Sequence, residues 1–197
     1  MSHTKHRPVV VIPLYKLDLS NAEWFSLKQT LKVLHNHPRT IICPKHLSSE
    51  LFNASRNWDS SIKIKAFPND YFKSISGYNR LLRSSMFYQA FSEYEYMLIV
   101  QTDALILQDK LDEWCERGFS YIGAPFFRGF SNPTRPLEFI GVGNGGLSLR
   151  RIPDFLQSQK TIRYIPNILA QPPKNFFDFK ALLKFIKHYF IFCNPGF

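Results

Sequence analysis

The chain has 197 residues, with 25 Lys and Arg against 15 Asp and Glu, a formal net charge of +10 and 45% hydrophobic residues. That is enough for one domain with an appendage, and the composition excludes a disordered chain. No run approaches the ~18 apolar residues of a membrane span, Met1–Lys5 leads into no signal-peptide core, and Cys43, Cys115 and Cys193 are too few and too scattered for a disulfide framework or a metal cluster, so the reducing cytoplasm is the expected compartment.

Pro8–Pro13 is a continuous apolar run and predicts a buried parallel strand. Ser20-Asn-Ala-Glu23 reads as a capping box, followed by Trp24, Leu27, Leu31 and Leu34 on one helical face. Arg39–Cys43 predicts a second strand, stopped by Pro44. Ser61–Phe67 predicts a third, with Ile62, Ile64 and Ala66 alternating against Lys63 and Lys65. Leu81–Phe91 reads as a helix and Tyr96–Val100 as a central strand. Asp109–Arg117 predicts a short helix closed by Gly118 at the position after its C-cap. Phe119–Ile122 predicts a strand, 125–138 a Gly/Pro-bearing loop, Gly146–Arg150 a strand and Ile152–Gln159 a short helix. Strands alternating with helices imply an α/β fold with a mainly parallel sheet flanked by helices.

Pro166, Pro172 and Pro173 break the periodicity between Ile165 and Lys174, which divides the chain into a body, 1–160, and a tail, 161–197. In the tail Phe179, Leu182, Leu183, Ile186 and Phe190 share one helical face and Lys180, Lys184 and Lys187 another, so peripheral contact with an anionic membrane surface is one expectation for it. The charge is uneven: residues 1–80 carry 12 basic and 5 acidic side chains, 81–160 carry 8 and 9, and 161–197 carry 5 and 1. Such a balance suits a phosphate-rich partner. The aromatic and basic residues include no Gly/aromatic RNA-binding signature, so nucleic acid is not among the expected partners.

Three stretches can carry chemistry. Tyr96–Val100 delivers Gln101, Thr102 and Asp103 at a strand's carboxyl end, where open α/β sheets bind ligands and where a carboxylate suits Mg²⁺ or Mn²⁺. Asp also ends strands as an ordinary turn former. Gly141-Val-Gly-Asn-Gly-Gly-Leu-Ser-Leu-Arg150 puts four glycines in six residues; it lacks the P-loop GK[ST] and reads equally as a tight turn or as a loop that lets backbone approach a ligand. Gly77-Tyr-Asn-Arg80 opens the predicted helix, a place for a diphosphate or merely for a surface Arg. His35 and His37 have no zinc-spaced neighbours and read as a solvated loop, and Cys115 reads as a packing residue.

Taken in order, Gly77–Arg80, Tyr94–Asp103, Trp114, Gly118–Pro125 and Gly141–Arg150 resemble a bacterial family of glycosyltransferase-like proteins mostly known as a domain of unknown function, and more distantly the galactosyltransferases of GT-A fold. The likeness spans about residues 8–160. It implies a GT-A-like, Rossmann-like domain that binds a nucleotide-diphosphate sugar and transfers the sugar, with Mn²⁺ or Mg²⁺, to a glycan or lipid-linked acceptor in cell-surface polysaccharide synthesis. By that likeness Ile12, Pro13 and Tyr15 receive the nucleotide base, Tyr78, Asn79 and Arg80 match the nucleotide-contacting motif, and Gly143, Asn144, Gly145 and Gly146 match the donor and acceptor loop. Gln101, Thr102 and Asp103 fall on the Asp-x-Asp motif, with Asp103 inheriting the metal and Gln101 standing where the first Asp would be. The family's downstream carboxylate-rich motif, source of the catalytic base, has no match after Asp154. The chain then reads as a C-terminally truncated member, as a degenerate binding domain, or as one using another base such as Glu138 or Asp154.

Overall fold

A computed structural model describes residues 7–129, 132 and 135–161 of the chain; the side chains of Asn144 and Thr161 lie outside that set, as does the amphipathic tail expected at 176–192. Contacts divide the chain into two units, Met1–Leu156 and Gln157–Phe197, and the sheet lies wholly in the first.

The elements are β1 (Pro8–Pro13), α1 (Asn21–Val33), β2 (Arg39–Pro44), α2 (Ser48–Trp58), β3 (Lys63–Phe67), α3 (Ile75–Leu81), α4 (Ser85–Gln89), β4 (Tyr96–Val100), α5 (Leu111–Glu116), β5 (Tyr121–Phe127), β6 (Phe139–Arg151) and α6 (Ile152–Thr161). The six strands form one sheet in the order β3-β2-β1-β4-β6-β5. β3, β2, β1 and β4 run parallel, with Val10 opposite Arg39 and Val9 opposite Met97; β6 is antiparallel to both β4 and β5. The mainly parallel α/β sheet expected from the sequence is thus present, with one reversed strand inserted between β4 and β5.

Period-two alternation explains why the central strands read as unbroken apolar runs. Val10 and Ile12 enter a core with Leu27, Leu31, Leu51 and Cys115, under α1, α2 and α5. Val9 and Val11 enter a second core on the opposite face with Leu81, Phe87, Tyr88, Phe91 and Ile152. In β4, Tyr96 and Val100 belong to the first core, Met97 and Ile99 to the second. A strand between two helix layers must be apolar on both faces, and each such side chain contributes about 2 kcal/mol relative to exposure. Cys43 and Cys115 are fully buried, and burial pushes their thiols up to about 11 and about 12, which makes them packing groups and not nucleophiles.

Local signals account for most element ends. The Ser20 hydroxyl accepts from Glu23 N–H while the Glu23 carboxylate accepts from Ser20 N–H, the reciprocal cap read from the sequence. Gly118 follows α5 at φ +73°, where a side chain is disfavoured.

Four expectations are corrected. The stretch 81–91 is not one helix: the Ser84 hydroxyl accepts from Phe87 N–H and starts α4 anew after α3 has ended. The Gly77–Arg80 stretch lies inside α3, whose cap is Ser74. The glycine run at 141–146 is neither a turn nor a loop but part of the thirteen-residue strand β6. His37 is no solvated loop residue: it is 8% exposed and its Nε2 lies 3.0 Å from both oxygens of Asp109, which ties the end of α1 to the segment before α5. A further helix, α2, has no counterpart among the expected elements; only Leu51 and Ser55 of its eleven residues are buried.

Gly77 packs its Cα against backbone: a Cβ there would meet the carbonyl oxygen of Asp70 at 2.6 Å and that of Tyr71 at 3.1 Å. Neither obstacle is a flexible side chain. Gly77→Ala is therefore expected to lower stability by about 1–3 kcal/mol, read as a lower urea midpoint at unchanged slope. An unaltered midpoint would mean that the 69–72 turn yields freely.

Candidate functional site

The chain runs β1-β2-β3 outward on one side, then returns to place β4 against the other side of β1. At such a reversal the connections leave the two neighbouring strands in opposite directions and open a crevice beyond their carboxyl ends. A cleft of about 580 Å³ lies there, lined by Pro13 and Tyr15 past β1, Gln101, Thr102 and Asp103 past β4, Ser74, Ile75, Tyr78, Asn79 and Leu82 around α3, Gly145 and Gly146 of β6, and Glu23, Phe72 and Lys73. That volume lies in the range of small-molecule ligand pockets.

Each wall has a local cause. Beyond Pro13, Leu14 N–H still bonds to Ile42 C=O at 2.9 Å, after which the chain swings out and leaves the Tyr15 ring 58% exposed. Past Val100, Gln101 N–H bonds to Gly146 C=O at 2.8 Å and Ala104 N–H to Gln101 C=O at 3.0 Å, a turn that holds Asp103 at the surface of the cleft. The Ser26 hydroxyl of α1 donates to Ala104 C=O and fixes the far end of that turn.

The register of β5 on β6 jumps at this level: Gly123 faces Ser148, but Ala124 faces Asn144, so Gly145, Gly146 and Leu147 bulge out of the β5 pairing. The bulge turns Gly145 and Gly146 toward Gln101, and bulges commonly re-aim a strand beside a site.

Of the residues singled out in the sequence, Pro13, Tyr15, Tyr78, Asn79, Gln101, Thr102, Asp103, Gly145 and Gly146 come together around the cleft. Ile12 is 1% exposed, inside the core beneath it. Arg80 points elsewhere, its guanidinium 5.9 Å from the Tyr71 ring centroid. Gly143 is exposed beside Phe126, and Asn144 pairs through its backbone with Ala124. Glu138 and Asp154 are not in the cleft: Glu138 pairs with Arg128 at 2.6 Å, and Asp154 accepts from Ser120 at 2.6 Å and faces Arg151 at 3.6 Å.

Two cleft residues, Glu23 and Lys73, carry no site signal in the sequence. Glu23 reads there only as a cap, yet the third position of a helix that follows β1 necessarily faces the strand's carboxyl end. Lys73 is answered by Asp70 at 2.6 Å.

Tyr78 is the most deeply set polar group of the cleft. Burial pushes its phenol up to about 12, against the opposing influence of the Gln101 amide and the Arg150 guanidinium, while the Asp103 carboxylate adds to the rise. Its hydroxyl is buried without a hydrogen-bond partner of standard geometry. At neutral pH it is therefore a protonated phenol beside the Gln101 amide. Among the described residues no cluster of three His, Cys, Asp or Glu is arranged to hold a metal ion.

Similarity to known proteins agrees with this fold. The family described as "Protein of unknown function (DUF5672)" matches residues 61–181, more than half of the chain. The chain belongs to this family. No curated protein matches it. Among solved structures, the 4-diphosphocytidyl-2C-methyl-D-erythritol synthase of Anaerococcus prevotii aligns with TM-score 0.50 at 8% identity over 93% of this chain and 83% of that one. Core-mannan synthase A of Aspergillus fumigatus, solved in a Mn/GDP form, aligns with TM-score 0.47 at 12% identity over 79% and 62%. A cytidylyltransferase of Leptospira borgpetersenii aligns with TM-score 0.45 at 8% identity over 82% and 66%. At 8% identity the first of these shows the fold alone, and it agrees with the mainly parallel α/β sheet flanked by helices described above. Among the described residues no helix is long and apolar enough to cross a membrane.

Glu23 yields a pH prediction. The Lys16 ammonium at 2.9 Å, then the Ser20 N–H and hydroxyl, lower its carboxyl from 4.5 to about 2. A carboxyl lowered in the folded state stabilises fully above its unfolded value and loses that contribution as pH falls toward the folded one. The melting-temperature gap between wild type and Glu23→Gln is expected to hold above about pH 4.5 and close toward pH 2. A gap independent of pH would refute the pairing.

Proposed function

We propose that the chain binds a nucleotide-diphosphate sugar in the cleft between β1 and β4 and transfers the sugar to a hydroxyl of a glycan or lipid-linked acceptor. The observation that carries this reading is one of place. Pro13 and Tyr15, Tyr78 and Asn79, Gln101 to Asp103, and Gly145 and Gly146 come from four distant parts of the chain to line one cleft at the strand reversal. In this reading the exposed Tyr15 ring and Pro13 pack on the base, and the glycine backbone admits the diphosphate and sugar closely.

The donor set bears on the metal. Asp103 is the carboxylate at the end of β4, flanked by the oxygens of Gln101 and Thr102, and Mg²⁺ or Mn²⁺ is commonly held by one or two carboxylates together with substrate phosphates. Those residues fit an ion that arrives with the diphosphate and fit poorly an ion held by protein alone. Such an ion, when bound, offsets the charge that develops on the leaving diphosphate. Asp103 orients it, Gln101 supplies a neutral oxygen where a second charge would tighten the site, and Tyr78 donates its proton to an oxygen of the bound anion.

A second reading, binding without turnover, has its own observation. The carboxylates lining the cleft are Asp103 and Glu23, and Glu23, held near 2 by Lys16 and Ser20, is a weak base. Hydrolysis of nucleotide sugars by the purified chain separates the two, since a binding domain retains the donor intact.

The metal dependence is tested by titration. Wild type is expected to bind a nucleoside diphosphate at least about tenfold more tightly with Mn²⁺ than without, and Asp103→Asn to lose that increment while keeping the metal-free affinity. An Asp103→Asn chain that keeps the full Mn²⁺ increment removes Asp103 from the metal.

A further inference from the structure

Arg150 lies in β6 with 5% of its surface exposed. Its Nε donates to Ser148 Oγ at 3.1 Å, and its Nη1 donates to Tyr88 Oη at 2.7 Å and to Leu82 C=O at 3.3 Å. Its guanidinium faces the Tyr121 ring at 5.8 Å and the Phe155 ring at 5.4 Å. Every one of these partners is neutral, and among the described residues no carboxylate pairs with it. Arg151, by contrast, meets Glu95 at 3.3 Å and Asp154 at 3.6 Å. Buried charges are as a rule paired, because desolvation of an isolated ion is costly. Hydrogen bonds and ring faces offset part of that cost and leave the positive charge uncompensated.

The position of this charge matters. A Cβ on Gly145 would lie 3.3 Å from Arg150 Nη2 and 3.4 Å from Leu82 Cδ1, and Gly145 and Leu82 both line the cleft. Gly145, without a side chain, and Leu82 thus adjoin the guanidinium and line the cleft as well. A buried charge beside the cleft wall is screened less than a solvated one. The other charges around the cleft cancel locally: Glu23 with Lys16 at 2.9 Å, Lys73 with Asp70 at 2.6 Å. Two remain, the Asp103 carboxylate on one wall and Arg150 behind another, with the buried Tyr78 phenol, beside the Gln101 amide, influenced by both.

We infer that Arg150, through the glycine window at Gly145, is the anchor for the phosphates of the ligand, so that the cleft is built for a diphosphate whose anionic end faces Arg150 and Tyr78 and whose chelated cation faces Asp103. The inference rests on the nucleotide-diphosphate reading and names the group that recognises the diphosphate. It also gives the glycine at 145 a reason: a side chain there would crowd the guanidinium, a Cβ already lying 3.3 Å from Nη2, and thicken the wall.

The test uses the full chain and inorganic pyrophosphate as probe, titrated calorimetrically with and without Mg²⁺. Arg150→Met is expected to weaken pyrophosphate binding at least about tenfold in both conditions, and Arg150→Lys, which keeps the charge but not the planar fork, to restore part of it. A purely structural Arg150 gives the opposite pattern: stability lost in Arg150→Met and pyrophosphate affinity kept, which overturns the inference. A salt series on wild type decides the matter even where Arg150→Met fails to fold. A buried anchor keeps affinity within about threefold between about 50 and 500 mM NaCl, whereas a hundredfold fall assigns the anion to exposed cations such as Arg80 and overturns it. Wild type that binds nucleoside diphosphates with Arg150→Met unimpaired leaves the functional reading intact and removes this one. Pyrophosphate binding through Arg150 without any nucleotide preference does the reverse.

Discussion

The constraint on which the rest depends is the reversal of strand order at β1 and β4. Both strands lie between two helix layers, and neither can spare a polar side chain along its length without opening a core. Polar groups can emerge only past the carboxyl ends, and only between these two strands do the connections part. The same burial that makes Pro8–Pro13 and Tyr96–Val100 rigid thus decides where Tyr15 and Asp103 stand, and the rigid strands in turn hold those residues in fixed relation.

The reversed strand β6 completes this arrangement in a way the parallel strands cannot. Running antiparallel beside β4, it brings Gly146 C=O onto Gln101 N–H at the mouth of the cleft, and four residues later brings Arg150 beneath α3 and α4. One strand therefore supplies both the thin wall and the charge behind it. The bulge at 145–147 is what lets an otherwise regular ladder do so, since it frees those three residues from β5.

Much of this is legible in the sequence, and the reason is period. Buried parallel strands read as continuous apolar runs, so the expected β1, β2 and β4 agree with the structure to within a residue. The cap at Ser20 and Glu23 and the turn glycine at 118 are local chemistry written in two or three residues. What depends on distant partners is not legible. The apolar spacing from Leu81 to Phe91 suits one helix, and only the Ser84 hydroxyl accepting from Phe87 N–H breaks it. The glycines at 141–146 favour a loop until a partner strand pairs with them. His37 has no neighbour in sequence to explain its burial; Asp109, its partner, is 72 residues away. Arg150 stands at the end of a recognisable motif, but a cation is presumed exposed, and nothing in the sequence gives its burial.

The burial of Arg150 alters how the net charge of +10 should be understood. An excess of Lys and Arg suggests affinity for phosphate by sheer number, and composition alone favours a solvated basic surface. Within the cleft, number is nearly irrelevant: Lys16 and Lys73 are each answered by an acid, and Arg80 leans on a tyrosine ring outside it. Selectivity for an anion is instead carried, in the proposed reading, by a single guanidinium whose partners are all neutral and which lies beside the bare backbone of Gly145. A solvated lysine is screened within about a Debye length and attracts any anion. A desolvated arginine beside the cleft wall acts on what fits the cleft, so in this reading the charge that matters most for recognition is one removed from the surface.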